Sequence, residues 1–188
     1  MIWNEHSQLE GKHAFLSASN WHWLNYDEDK LREVFIAAKA KEIGTELHAI
    51  AAKDIKLQLK RPNNNKTFNR YINDAIKYRM RPEQLLVYNR ISFGTADAIF
   101  YDEKEKILRI FDLKTGKIQA HMEQLQIYAA LFCLEYRVDP YDINEFDLRI
   151  YQNDDIIYGD IHPEDIKDIM LKIKDYCYIL DELDGDYL

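Results

Sequence analysis

The sequence predicts an α/β fold: a mixed central sheet of about five strands with helices on both sides. Three observations lead there. Within residues 94–128, two apolar runs, 95–101 and 107–113, flank a short polar segment rich in Asp, Glu and Lys, and a helical pattern follows over 120–136. Two more short apolar runs, 145–151 and 156–161, surround a polar turn at 152–155. Elsewhere apolar residues recur at helical spacing.

Taken in order, residues 1–11 are polar and read as a loosely ordered lead-in. Residues 16–25 carry Trp21, Trp23 and two serines; Ser17 or Ser19 is placed to cap a short helix that turns Trp23 and Leu24 inward. An amphipathic helix is expected over 28–40, with Leu31, Val34, Phe35 and Ala38 on one face. Gly44 interrupts it, and Thr45 caps a second helical segment reaching about residue 59. The run Arg61-Pro62-Asn63-Asn64-Asn65 is a break. Residues 67–80 read as a helix with Phe68, Tyr71, Ile72, Ala75 and Ile76 on one side, ended by Arg81-Pro82. The first strand is expected at 85–93, after which Gly94 lets the backbone bend or a ligand approach. Leu125, Ala129 and Phe132 form a core stripe on the helix after the hairpin. His162-Pro163-Glu164 opens the last helix, whose buried stripe runs from Ile166 to Leu180, and the acidic end, 181–188, frays. At 188 residues the chain suits one domain. It comprises a helical part over about 12–82, a sheet core over about 85–161 and a final helix over about 163–181.

An apolar content of 47% with 31% charged residues is ordinary for a globular chain. No apolar run approaches the ~20 residues of a membrane span, and the start lacks a basic, apolar leader, so a cytoplasmic protein is expected. Two cysteines, Cys133 and Cys177, are too few for a four-cysteine iron–sulfur cluster and read as free, buried thiols. The net charge of −8 argues against a uniformly basic nucleic-acid binder, but it is unevenly spread. Residues 53–90 hold ten basic and three acidic side chains, a net of +7, whereas 139–188 hold four and fifteen, a net of −11. Such asymmetry permits a local phosphate-binding surface; solvated faces without a partner account for it equally well.

The chemistry concentrates on the hairpin. With residues 103–106 as its loop, opposed residues sum to 209, and Asp97 faces Asp112. Asp112 and Lys114 share a face while Leu113 points away. Two carboxylates so opposed either raise one pKa or recruit a cation, and a divalent ion with oxygen ligands beside a lysine suits chemistry on a phosphate. The loop Thr115-Gly116-Lys117 reads equally as a phosphate contact or a plain turn. His48, on spacing alone, is a structural histidine. Gln124 and Tyr128 stand one helical turn apart, with His121 as a surface residue and Glu123 as a minor acidic alternative.

Asp97 followed by Asp112-Leu113-Lys114 resembles the core of the PD-(D/E)XK nuclease superfamily. Gln124-Leu125-Gln126-Ile127-Tyr128 is similar to the QhxxY motif of its RecB-like exonuclease branch, and Gly44-Thr45-Glu46-Leu47-His48 to that branch's GTxxH helix. The segment from His13 to Ser19, then Trp23-Leu24-Asn25, resembles the opening of phage-encoded members. The likeness runs over about 12–155, with Ala96 where a proline commonly precedes the first Asp.

The resemblance implies a restriction-endonuclease-like core and a Mg²⁺- or Mn²⁺-dependent deoxyribonuclease leaving 5′-phosphates. It further implies an exonuclease of recombination or DNA processing in a bacterial or phage-infected cell. His48, Asp97, Asp112 and the Leu113 carbonyl would hold the ion, Lys114 would orient hydroxide or neutralise phosphorane charge, Gln124 would orient water or substrate, and Tyr128 would pack beside it. DNA is the implied partner, with a recombination protein or a homo-oligomeric ring as further partners. The competing expectation is an inactive nuclease scaffold serving as a binding module.

Overall fold

A computed structural model describes residues 14–116 and 120–186. The expected lead-in at 1–11 and the Lys117 phosphate contact lie outside the described residues. The chain divides into two compact units, residues 1–43 and 44–188. Among the described residues, no helix is long and apolar enough to cross a membrane.

In the first unit, a 3₁₀ helix, Trp21–Asn25, follows a turn in which the Trp23 indole donates to the Ser17 carbonyl at 2.9 Å. Neither serine caps the helix: Asn20 holds that place without a side-chain bond, and Leu24 is 67% exposed rather than inward. Asp27 starts the next helix, its Oδ1 accepting the Lys30 amide at 2.8 Å. The stripe expected to be buried on that helix is largely exposed, with Val34 half-buried. Phe35 meets Phe15 edge-on, at 5.1 Å between ring centroids.

Helix α1, Glu28–Lys56, runs through Gly44 instead of stopping there. A Cβ at Gly44 would stand 2.7 Å from Thr115 Oγ1, so glycine serves close approach to the chain leaving the third strand. In the second unit, Gly44, Ala51 and Ile55 are buried at helical spacing. Helix α2, Thr67–Lys77, ends three residues earlier than the pattern suggested. The Met80 amide turns back to the Ala75 carbonyl at 2.8 Å, and Arg79 takes the left-handed conformation that closes the helix.

The sheet has five strands in the order β1–β2–β3–β4–β5. They are β1 Arg81–Val87, β2 Phe93–Asp102, β3 Ile107–Leu113, β4 Glu145–Gln152 and β5 Asp155–Tyr158. All neighbouring pairs are antiparallel except β3 with β4. That parallel pair is joined through helix α3, Glu123–Tyr136, as a parallel crossover requires. Helix α4, Pro163–Asp186, closes the chain and continues past the point where fraying was expected.

The β2–β3 hairpin has the expected register, from Ala98 opposite Phe111 to Asp102 opposite Ile107. The first strand is displaced from 85–93 to 81–87. Pro82 is tolerated because β1 is an edge, and the Asn89 side chain ends it by accepting the Ile91 and Ser92 amides, each at 2.9 Å. β4 and β5 are joined by Asn153 and Asp154, both left-handed, as a tight hairpin requires.

Both faces are covered. On one, α3 and α4 pack Leu125, Ala129, Phe132, Ile166 and Met170 against Leu108, Ile110 and Leu148. On the other, Ala51, Ile55 and the buried side of α2 pack against Phe111, Leu113 and Tyr151. Cys133 and Cys177 are free and buried, as expected, and burial pushes the Cys133 thiol up to about 12.

Gly94 admits a ring rather than a ligand: a Cβ there would lie 2.9 Å from Tyr128 Cε1. Gly94→Ala is therefore expected to cost about 1–3 kcal/mol in chemical denaturation, the usual range for overpacking. The cost should largely vanish on a Tyr128→Leu background, and equal costs on both backgrounds would contradict the contact.

Candidate metal centre

The spacing that buries Gly44, Ala51 and Ile55 puts His48 on the same sheet-facing stripe of α1. The stripe approaches the sheet where β2 and β3 part. Their ladder stops at Ala98 opposite Phe111, one pair short of the expected Asp97–Asp112 opposition. The Asp97 carboxylate takes over, its Oδ2 accepting the Leu113 amide at 3.0 Å and lying 3.3 Å from His48 Nδ1.

Asp112, in the last turn-off of β3, is 2% exposed. Lys114 follows it, its amide extending the parallel ladder to the Tyr151 carbonyl at 2.9 Å. From there the Lys114 ammonium donates to Asp112 Oδ1 at 3.2 Å and to Gln124 Oε1 at 2.8 Å. Gln124 in turn donates to the Tyr128 hydroxyl at 3.0 Å, the one-turn spacing on α3 bringing the two together. Asp112 Oδ2 is sealed from solvent and accepts no well-directed hydrogen bond among the described residues, although Lys114 Nζ lies 3.0 Å away.

Glu83 joins the centre without having been foreseen. One ligand atom each from His48, Glu83 and Asp97 lie within 4.8 Å of one another. That spread matches a divalent ion with donors at about 2.0–2.6 Å. Glu83 reaches the cluster from the middle of β1 with φ of 51°. Non-glycine residues so placed cost of order 1–3 kcal/mol and concentrate at functional sites.

Six site residues read from the sequence thus occupy one end of the sheet: His48 beside Asp97, and Asp112, Lys114, Gln124 and Tyr128 as a hydrogen-bonded row. Leu113 meets Asp97 through its amide. His121 is exposed and pairs with the exposed Glu123 at 4.0 Å, apart from the row. Gln152 also went unnoticed in the sequence. Buried at the end of β4, it accepts the Ala120 amide at 3.1 Å and donates to the Gly116 carbonyl at 2.7 Å, tying down both ends of the loop after Lys114.

Comparison with protein-family models, curated proteins and solved structures found no match.

The electrostatics follow from the crowding. The hydrogen bond to Asp97 raises His48 above the ordinary histidine range. Partial burial and then the charge of Asp97 raise Glu83. Burial, then Asp97, push Asp112 up to about 6 against the opposing pull of Lys114. A carboxyl whose pKa is higher in the folded than in the unfolded chain destabilises the fold once ionised. For Asp112 the penalty is absent below the unfolded value of 3.8, grows as pH rises to about 6, and is complete above it.

Two pKa units correspond to ~3 kcal/mol, so Asp112→Asn in EDTA is expected to be more stable than wild type by about 1–3 kcal/mol at about pH 8. The difference should close near about pH 4. Urea denaturation at both pH values checks this, and an Asp112→Asn variant less stable than wild type at the higher pH contradicts it.

Proposed function

We propose that this chain is a Mg²⁺- or Mn²⁺-dependent deoxyribonuclease with a PD-(D/E)XK core. In this reading it is an exonuclease of the RecB-like branch, acting in recombination or DNA processing. The observation that carries the reading is the meeting of side chains from α1, β1, β2, the end of β3 and the start of α3 around one end of the sheet. His48, Glu83 and Asp97 supply a ligand cluster, and Asp112, Lys114, Gln124 and Tyr128 a connected row beside it.

His48, Glu83 and Asp97 would hold the ion, with Asp112 as a further carboxylate. When bound, such an ion supplies a Lewis acid for the phosphate and water acidified toward neutrality. The chain's own groups do the rest. Asp97 holds the imidazole of His48 in place, and protons on that nitrogen compete with metal, so affinity falls as His48 becomes charged. Lys114 holds a positive charge at the cluster's edge, where it can neutralise charge developing on a phosphate. Gln124 fixes the ammonium and is itself fixed by Tyr128, so the lysine is oriented before substrate arrives. Hydrolysis breaks the P–O3′ bond, the water oxygen going to phosphorus and a proton to the 3′-oxygen.

End-labelled single- and double-stranded DNA incubated with Mn²⁺ provides the test. Wild type is expected to shorten the strands from an end, and excess EDTA to stop it. Asp112→Ala and Lys114→Ala should each lose activity by roughly 100-fold or more while unfolding cooperatively. Full activity in either variant or in EDTA, or no cleavage by wild type, would overturn the reading.

A further inference from the structure

A cleft of about 700 Å³ opens beside the ligand cluster, lined by His48 and Glu83 and, further along α1, by Lys53, Lys56 and Leu57. We propose that this cleft holds the sugar–phosphate backbone of a single DNA strand, with Lys53 and Lys56 as its phosphate contacts. The proposal rests on the nuclease reading and extends it to the path by which the strand reaches the metal.

The cleft includes the ligands themselves, because His48 and Glu83 belong both to its lining and to the cluster. Along α1 the lining residues follow helical spacing, so the lysines continue the stripe that begins at His48. Eight residues of helix from His48 to Lys56 span ~12 Å, enough for neighbouring phosphates to meet the lysines while one phosphate lies at the cluster. Lys53 and Lys56 are exposed, and neither side chain has a hydrogen-bond or ion-pair partner among the described residues. Lys56 and Lys53 both belong to the lining of the cleft, as Glu83 does.

The acidic residue between them does not cancel that charge. Asp54 is buried and engaged by Arg61 Nε at 2.6 Å. The cleft's size falls in the ~300–1,000 Å³ range of sites that hold small ligands, room for a short stretch of one strand. Apart from the His48 imidazole, committed to the ligand cluster, its lining offers no ring on which a base can stack. Recognition therefore runs through phosphate charge and carries little sequence preference.

Binding of a fluorescein-labelled oligothymidylate by the full chain, with Ca²⁺ replacing Mn²⁺ so that the strand stays uncut, reads the proposal across a salt titration. Lys53→Gln/Lys56→Gln is expected to weaken binding about tenfold or more at about 0.1 M salt. It should also flatten the log–log salt slope by about 1.4, or ~0.7 per lost phosphate contact. Mn²⁺ is expected to raise the melting temperature of this variant as much as that of wild type, and Lys172→Glu/Lys174→Glu on α4 should bind as wild type. Unchanged affinity and slope in the cleft variant, or an equal loss in the α4 variant, would overturn the proposal and leave the nuclease reading standing. A wild-type chain that neither binds nor cuts DNA would overturn both.

Discussion

Negative charge gathered at one end of the sheet is the constraint around which the second unit is built. Glu83, Asp97 and Asp112 come from three strand segments that meet where β2 and β3 diverge. Like charges about 5 Å apart repel by roughly 3 kcal/mol at an effective dielectric near 20. Lys114 offsets this against Asp112, and His48 against Asp97 when the imidazole is protonated. The compensation is incomplete: Asp112 remains shifted upward, and one of its oxygens is sealed off without a well-directed donor. A fold that retains such a cluster is set up to gain from a cation.

Much of the surrounding structure keeps these groups still. The Asp97 carboxylate replaces a missing rung of the β2–β3 ladder by taking the Leu113 amide, so the same group is both sheet pairing and ligand. Gly94 leaves room for the Tyr128 ring, Tyr128 accepts from Gln124, and Gln124 holds Lys114. Gln152 anchors the loop beyond Lys114 from the end of β4, and Gly44 lets α1 come close to that loop at Thr115. The position of one ammonium therefore depends on residues from four elements, α1, β2, α3 and β4, which is the kind of support that pre-organised sites need.

The legible parts of the fold were those with a strong local period. Alternation and a polar loop were enough to set the hairpin register, and helical spacing was enough for the buried side of α2 and for that of α4 as far as Cys177, Leu180 being exposed. The five-stranded mixed sheet with both faces covered followed from counting such runs. Less legible were features decided by tertiary contact. Gly44 looks like a helix breaker until Thr115 is seen against it, and the first strand could not be placed correctly because Pro82 is acceptable only on an edge. At the site, the spacing of Asp97, Asp112 and Lys114 pointed to this end of the sheet, and motif likeness pointed to His48, Gln124 and Tyr128. Glu83 left no trace, because a glutamate in left-handed conformation inside a strand has no compositional signal.

Anomalous diffraction from crystals grown with Mn²⁺ tests the central claim most directly, since it locates the ion without reference to activity. The expected result is a strong peak bonded by His48, Glu83 and Asp97, absent from Glu83→Gln crystals grown in the same way. Crystals with no manganese peak between those three side chains, or with manganese bound only at the surface, would contradict the account.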